Sequence, residues 1–138
     1  MKKLIKTFID LVFFIIIFFT SLIVRYIKKR KSKPSLVWGS DPIINNFYYS
    51  KSMKRKGFDS KTFVIESYAS NKRENWDFIL SDKYTILPYF LKPYVAFLES
   101  LLKFDVFFIP CSGFFIGHTN LNFFQSIFFR LAKKKVVV

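Results

Sequence analysis

An apolar run near the amino terminus constrains this chain more than any other feature. Residues 11–24 read LVFFIIIFFTSLIV and contain nothing more polar than one threonine and one serine. The apolar character extends back to Leu4 past Asp10 and Lys6, and about 21 helical residues cover roughly 30 Å, the thickness of a hydrocarbon core. The run predicts a transmembrane helix. A helix lying in the interface is the alternative, because the uncharged stretch has only fourteen residues.

Basic residues flank this run and set its expected orientation. Six Lys/Arg residues follow it up to Lys33 and three precede it, which predicts that the rest of the chain lies on the cytoplasmic face of the cell membrane. A cleaved signal peptide needs small residues after its apolar core, so residues 1–33 are interpreted as a retained anchor with a basic collar. The residues expected to contact lipid tails or headgroups are Leu11, Phe14, Ile16, Phe18, Val24, Arg25, Lys28, Lys29, Arg30 and Lys31.

The position of the positive charge along the chain indicates which binding partners to expect. The net charge is +14, and residues 1–33 contribute +8 of it through nine Lys/Arg and one acid. Because most of the excess lies beside the apolar run, anionic lipid headgroups are the expected partner and nucleic acid is not. One cysteine and one histidine exclude an internal disulfide and offer no metal cluster.

Residues 34–138 alternate between short apolar runs and amphipathic segments. The pattern predicts strands at 35–39, 61–66, 105–110 and 135–138, and helices at 43–56, from 93 to about 102, and at 121–132. Apolar strands that alternate with helices are typical of an α/β doubly wound parallel sheet, a Rossmann-like arrangement. We expect strand 105–110 and the final valine run to be buried. Since the chain stops inside that run, we also expect the sheet to be incomplete and the chain to be a truncated copy.

Several segments, in order, resemble the opening of GT-B type glycosyltransferases. They are residues 36–46 (LVWGSDPIINN), Gly57-Phe58, the strand ending at Glu66, and the later segments 91–94, 104–107 and 134–138. The resemblance implies that residues 34–138 form most of the N-terminal, acceptor-side domain. Such an enzyme transfers sugar from a nucleotide-sugar donor to a lipid-linked or envelope glycan acceptor. The family's donor domain lies C-terminal, so this chain would hold no cofactor and would be inactive alone.

The candidate site residues follow the first and third predicted strands, because parallel sheets bind ligands at the carboxyl ends of their strands. The acceptor-binding candidates are Gly39, Ser40, Asp41, Asn45, Ser112 and Gly113. The alternative is that Gly39 permits a turn and that Asp41, Asn45 or Asn46 caps the next helix. Glu66 ends the second strand and is interpreted as surface charge.

His118 is the one weak candidate for a catalytic residue, as a base toward an acceptor hydroxyl. Many relatives carry a histidine directly after the strand matched by residues 105–110, where this chain has Pro110-Cys111-Ser112. In the alternative, Thr119 or Asn120 simply caps a helix at this point. Cys111 is expected to have no chemical role.

Two further functions stay open at the level of sequence. The chain could be a membrane-anchored α/β protein that binds a partner without catalysis. It could also be one half of a split glycosyltransferase whose donor domain is a separate chain.

Overall fold

Among residues 2–27, 32–67 and 72–138, which the computed structural model describes, five strands form one parallel sheet. The strands are β1 (Leu36–Trp38), β2 (Ser60–Val64), β3 (Phe78–Ile79), β4 (Val106–Phe108) and β5 (Lys135–Val137). The helices are α1 (Lys2–Tyr26), α2 (Ile44–Arg55), the short α3 (Leu80–Lys83), α4 (Lys92–Lys103) and α5 (Gln125–Leu131). Short 3₁₀ turns at Arg73–Asn75, Tyr89–Leu91, Phe115–His118 and Asn122–Phe124 join them.

The strand order is β3-β2-β1-β4-β5, and every neighbouring pair is parallel. The chain moves outward from β1 through β2 to β3, then returns to the other side of β1 for β4 and β5. That order, with helices between the strands, is consistent with a Rossmann-like fold. It confirms the predicted α/β class and the parallel sheet.

The main hydrophobic core lies on one face of the sheet. Its strand residues are those whose side chains point to that face, because successive side chains along a strand point to opposite faces. Val37, Phe63 and Phe107 are fully buried on this face beneath α4 and α5. Aromatic rings fill the space above them, with Phe107 perpendicular to Phe114 at 5.4 Å and tilted against Phe129 at 4.7 Å. The many phenylalanines are therefore core residues to a large extent.

The opposite face is covered by α2 over β1 and β2. Here the Trp38 ring stacks on Phe108 at 3.7 Å, and its indole nitrogen donates to the Ser60 hydroxyl at 2.9 Å. Val64 packs on this face with Trp76 and Phe47. The two cores confirm that described helices lie on both faces of the sheet.

The expectation of full burial is wrong for β4 and β5. Val106 and Phe108 are half-buried, and Val136 and Val137 in β5 are 38% and 46% exposed. Apolar composition alone predicted burial. Val106, Phe108 and Val137 share the face on which α2 packs over β1 and β2, whereas Val136 lies on the other face beside Phe107 and is exposed because β5 is the last strand of the described sheet. Strand β5 consequently forms an exposed edge.

The other differences from the predicted elements are small. Strand β3 was missed because two residues carry no detectable alternation. The helix predicted at 121–132 begins as the 3₁₀ turn Asn122–Phe124 and becomes α-helical only at Gln125. Helix α2 ends before Gly57, whose φ of +78° is a backbone conformation that favours glycine directly after a helix.

Helix α1 lies against the α/β domain, in contact with α4 and α5. Its inner side buries Asp10, Ile17 and Ser21, while Phe14 packs near Phe128 with ring centroids 5.5 Å apart. Within the described chain it is the one helix long and apolar enough to cross a membrane, with 23 residues from Leu4 to Tyr26 and a mean hydropathy of 2.6.

The residues expected to contact lipid fall on both sides of α1. Leu11 and Ile16 are exposed, as is Arg25, whereas Phe14, Phe18 and Val24 pack against the core. The collar residues Lys28, Lys29, Arg30 and Lys31 lie outside the described residues.

An ionic cluster ties α4 to the segment before it. The Glu99 carboxylate lies 2.5 Å from Lys83 Nζ and 2.6 Å from Lys103 Nζ, and it accepts a hydrogen bond from the Tyr84 hydroxyl. Burial raises the pKa of Glu99, but the hydrogen bonds from Lys103, Lys83 and Tyr84 outweigh it and lower the pKa to about 2. Burial, followed by the hydrogen bond to Glu99, raises the pKa of Tyr84 above its ordinary value.

Replacing Glu99 with glutamine should lower the free energy of unfolding at neutral pH by about 2 kcal/mol, because it removes the interactions that lower the pKa. This value is smaller than the full pKa shift would give, since a fifth of the side chain is exposed to water. The folded-state pKa lies below the unfolded one, so the contribution is complete above the unfolded pKa. It is lost as the pH falls from the ordinary pKa of 4.5 toward 2. Urea unfolding at pH 7 and pH 3 checks this. The exposed Glu74→Gln is the control, and an equal effect of both variants would contradict the prediction.

Candidate ligand cleft

The loops after β1 and β4 both lie at the carboxyl edge of the sheet, as the sequence predicted, and they meet there because the two strands are neighbours. The Ser40 hydroxyl donates to the Gly113 carbonyl at 3.2 Å, and the Ser112 hydroxyl donates to Asp41 Oδ2 at 3.0 Å. The Ile65 amide donates to the Ser40 carbonyl at 2.9 Å, which adds the end of β2. Three strand ends are thus fixed together, and the candidate polar groups bond mainly to each other.

Glycine is required where these loops approach most closely. A Cβ atom at Gly39 would lie 1.9 Å from the Phe63 carbonyl oxygen. Gly113 has φ +92°, and a Cβ atom at Gly117 would lie 2.5 Å from the Ser112 carbonyl oxygen. The loops therefore depend on backbone proximity that any side chain would prevent.

The capping alternatives are wrong, because the described helices after these loops have no side-chain cap. Helix α2 begins after Ile43 with no side-chain cap, and the Ile43 amide donates to the Asp41 backbone carbonyl at 2.8 Å. Asn45 lies exposed on the first turn of α2 and is not among the cleft residues. Thr119 does act locally, because its hydroxyl accepts from the Leu121 amide at 3.2 Å.

A cleft of about 800 Å³ opens beside these loops, between the sheet edge and the amino-terminal half of α1. Its charged lining residues are Lys6, Asp41 and Glu66, and the His118 imidazole lines it as well. The remaining walls are mostly apolar or aromatic, and are formed by Ile5, Ile9, Pro42, Ile65, Leu80, Tyr89, Phe90, Pro93, Tyr94, Phe115 and Thr119. The cleft thus combines a mostly apolar surface with a small number of polar groups, which is the usual composition of a ligand-binding site.

His118 is exposed at the end of the 3₁₀ turn Phe115–His118 and lines the cleft. Among the residues that the structure describes, its ring makes no side-chain hydrogen bond or ion pair. A neutral imidazole in this position can accept a proton from a ligand, but no described carboxylate orients it. Glu66 lines the same cleft, so it is placed for ligand contact as well as being exposed.

A polar cluster centred on the buried Asp10 lies beside the cleft and contributes Tyr94 to its wall. The Tyr94 hydroxyl donates to Asp10 Oδ1, and Asn120 Nδ2 donates to Asp10 Oδ2 at 2.5 Å. Burial raises the pKa of Tyr94, as does the hydrogen bond to Asp10, so the phenol stays protonated and donates. The Phe13 ring stacks on the Tyr94 ring at 4.6 Å. This cluster attaches α1 to both α4 and the loop before α5.

The sequence carried a signal for this cluster that was interpreted differently. Asp10 is the one acid between Leu4 and Val24, and the alternative of a helix in the interface places it near a headgroup layer. In the structure it is 6% exposed and its partners come from the α/β domain. An isolated acid in an apolar segment points to a buried partner, although nothing in the sequence identified Tyr94 or Asn120.

No family model, curated protein or solved structure matches the chain. The arrangement of the cleft must therefore be interpreted from its own chemistry. Among the described residues no group of three or more His, Cys, Asp or Glu side chains could hold a metal ion. Cys111 is exposed in the loop after β4 and is absent from the cleft lining. The site can hold a ligand with an apolar part beside α1 and a polar part near Lys6 and His118.

Proposed function

We propose that this chain is the acceptor-side domain of a membrane-associated glycosyltransferase, and that the cleft takes a lipid-linked acceptor. The observation that carries the proposal is the shared wall of the cleft. Ile5, Lys6 and Ile9 of the apolar helix face the same space as Asp41, Glu66 and His118. A lipid-linked acceptor has this division, with hydrocarbon on one side and phosphate or sugar hydroxyls on the other.

The charged residues of the cleft indicate how such an acceptor would be oriented within it. Lys6 is the cationic lining residue at the helix end and offers an ammonium group to a lipid phosphate. His118 is in position to accept a proton from a sugar hydroxyl, and Asp41 or Glu66 can accept hydrogen bonds from neighbouring hydroxyls. The lipid portion then continues along the apolar wall toward the membrane.

The resemblance to GT-B type enzymes supplies the second half of the proposal. It implies that a second Rossmann-like domain binds a nucleotide-sugar donor. Among the residues that line the cleft, Lys6 is the one cation that could bind the diphosphate of such a donor. We therefore expect the donor site on another domain or on a separate chain. A second α/β domain encoded directly downstream, or by a neighbouring gene, is the expected source.

Photo-crosslinking of the full chain with a short prenyl phosphate that carries a benzophenone tests the proposal. Crosslinked peptides should map to the cleft, and labelling should fall in Lys6→Ala and His118→Ala. Unlabelled prenyl phosphate should compete, whereas prenyl alcohol and inorganic phosphate should compete weakly. Lys51→Ala on the exposed face of α2 is the matched control.

Labelling confined to the outward face of α1, and unchanged in both cleft variants, would contradict an acceptor site. That outcome would favour the alternative of a membrane-anchored α/β protein that binds a protein partner. Cleft labelling together with a donor domain encoded as a neighbouring chain would favour the split enzyme.

A further inference from the structure

Helix α1 has an inverted distribution of polarity. In a surface helix of a soluble protein, the apolar side faces the core and the charged side faces water. Here the charged residues between Leu4 and Val24 are Lys6, which lines the cleft, and Asp10, which is buried. The outward face is apolar and consists of Leu4, Phe8, Leu11, Val12, Ile15, Ile16, Phe19 and Ile23, each at least 37% exposed.

The inner face is committed to the protein along much of the helix. Asp10 bonds to Tyr94 and Asn120 near the amino end, and Ile17 is fully buried in the middle. Val24 packs against the same core near the carboxyl end. A span would require α1 to leave this surface, which would break the hydrogen bonds of Asp10 to Tyr94 and Asn120 and leave its carboxylate without a partner inside the apolar segment.

Charge at the two ends of α1 identifies what covers the outward face. The sequence places Lys2 and Lys3 before the apolar face, and Arg25 and the collar through Lys33 after it. Cations at both ends of an apolar strip match anionic headgroups that surround a hydrocarbon surface. A protein partner would need a strip of matching length with acids at both ends. The lipid surface supplies both features without further assumption.

We infer that α1 does not cross the bilayer but lies in one leaflet, with its outward face among the acyl chains and its inner face docked on α4 and α5. Both ends of α1 are then on the same side of the membrane. The inference rests on the membrane attachment proposed above and is independent of sugar transfer. It places the mouth of the cleft at the headgroup layer, where a lipid-linked ligand can enter without leaving the membrane.

Cysteine accessibility distinguishes the two arrangements in the full chain. Cys111→Ser provides a cysteine-free background, into which Lys3→Cys and Ser32→Cys are introduced separately. Each protein is synthesised in a cell-free system with sealed vesicles of phosphatidylglycerol and phosphatidylcholine, so that both arrangements can form. A membrane-impermeant maleimide is then added, before and after a pore-forming peptide opens the vesicles.

A helix in one leaflet gives equal labelling at both positions before the vesicles are opened, with the protein floating with the lipid. Labelling of Lys3→Cys only after the pores form would show a span and overturn the inference. Failure to float with vesicles would overturn the inference together with the proposed membrane attachment. Lipid-free dimers that block flotation would assign the outward face to a second copy of the chain, and would overturn it as well.

Discussion

Gly39→Ala should prevent this chain from folding stably. The added Cβ atom would lie 1.9 Å from the Phe63 carbonyl oxygen, and that oxygen belongs to the backbone of β2. A rigid backbone atom cannot move aside as a flexible side chain can, so β1 and β2 would have to separate. Separation would break the pairing at the centre of the sheet. We expect a loss of more than about 3 kcal/mol, enough to unfold a marginal domain, measured by urea unfolding.

Gly57→Ala is the matched control for this prediction. Gly57 also needs a backbone conformation that favours glycine, with φ +78°, but its nearest neighbour is the flexible end of Lys33 at 3.1 Å. It should cost only about 1 kcal/mol. Equal losses in both variants would mean that the close approach of β1 and β2 is not what requires Gly39.

The fold class could be predicted from the sequence because each apolar run has a local signature. Leu36–Trp38 and Val106–Phe108 are short runs flanked by breakers, and α4 repeats its apolar residues at helical spacing. The coverage of the sheet could not be predicted in the same way. Val136 is as apolar as Val37, yet it is exposed, because coverage depends on which helix packs above each strand.

The candidate site shows the same division. The sequence placed both Ser40-Asp41 and Ser112-Gly113 at the carboxyl edge of the sheet, and the structure brings these four residues together because β1 and β4 are neighbours. Their mutual hydrogen bonds could not be foreseen, and they leave the groups less free for a ligand than the sequence suggested. The cleft itself needs Lys6 and Ile9 from α1, which the sequence assigned to a separate membrane anchor. Contacts between distant segments, such as Asp10 with Asn120, leave no local pattern.

The docking of α1 changes what its apolar composition means. A hydropathy value averaged along the sequence does not distinguish the two faces of a helix. Ile16 and Ile17 therefore contribute equally to the prediction of a membrane span. In the structure Ile17 is fully buried against the domain, whereas Ile16 is 42% exposed. The same apolar run therefore serves two surfaces, one that stabilises the domain and one that is available to lipid.

Neighbouring isoleucines separate these two roles by experiment. Ile17→Asp removes a buried side chain and places a carboxylate in the core, so it should lower the free energy of unfolding by more than about 3 kcal/mol. Ile16→Asp adds the same charge on the outward face. It should leave the free energy of unfolding within about 0.5 kcal/mol, because the residue makes few contacts there. Urea unfolding in the absence of lipid measures both.

Vesicle binding should change in the opposite order. A carboxylate on the outward face must enter the leaflet, which costs about 2 kcal/mol and weakens binding to anionic vesicles roughly thirtyfold for Ile16→Asp. The milder Ile17→Ala, which keeps the outward face intact and retains more of the fold, should bind as tightly as the unaltered chain. Ile16→Ala is the matched truncation on the outward face and should weaken vesicle binding, because it removes apolar surface that enters the leaflet. Equal loss of vesicle binding in Ile16→Ala and Ile17→Ala would mean that lipid surrounds α1 on all sides. The docked helix would then be wrong.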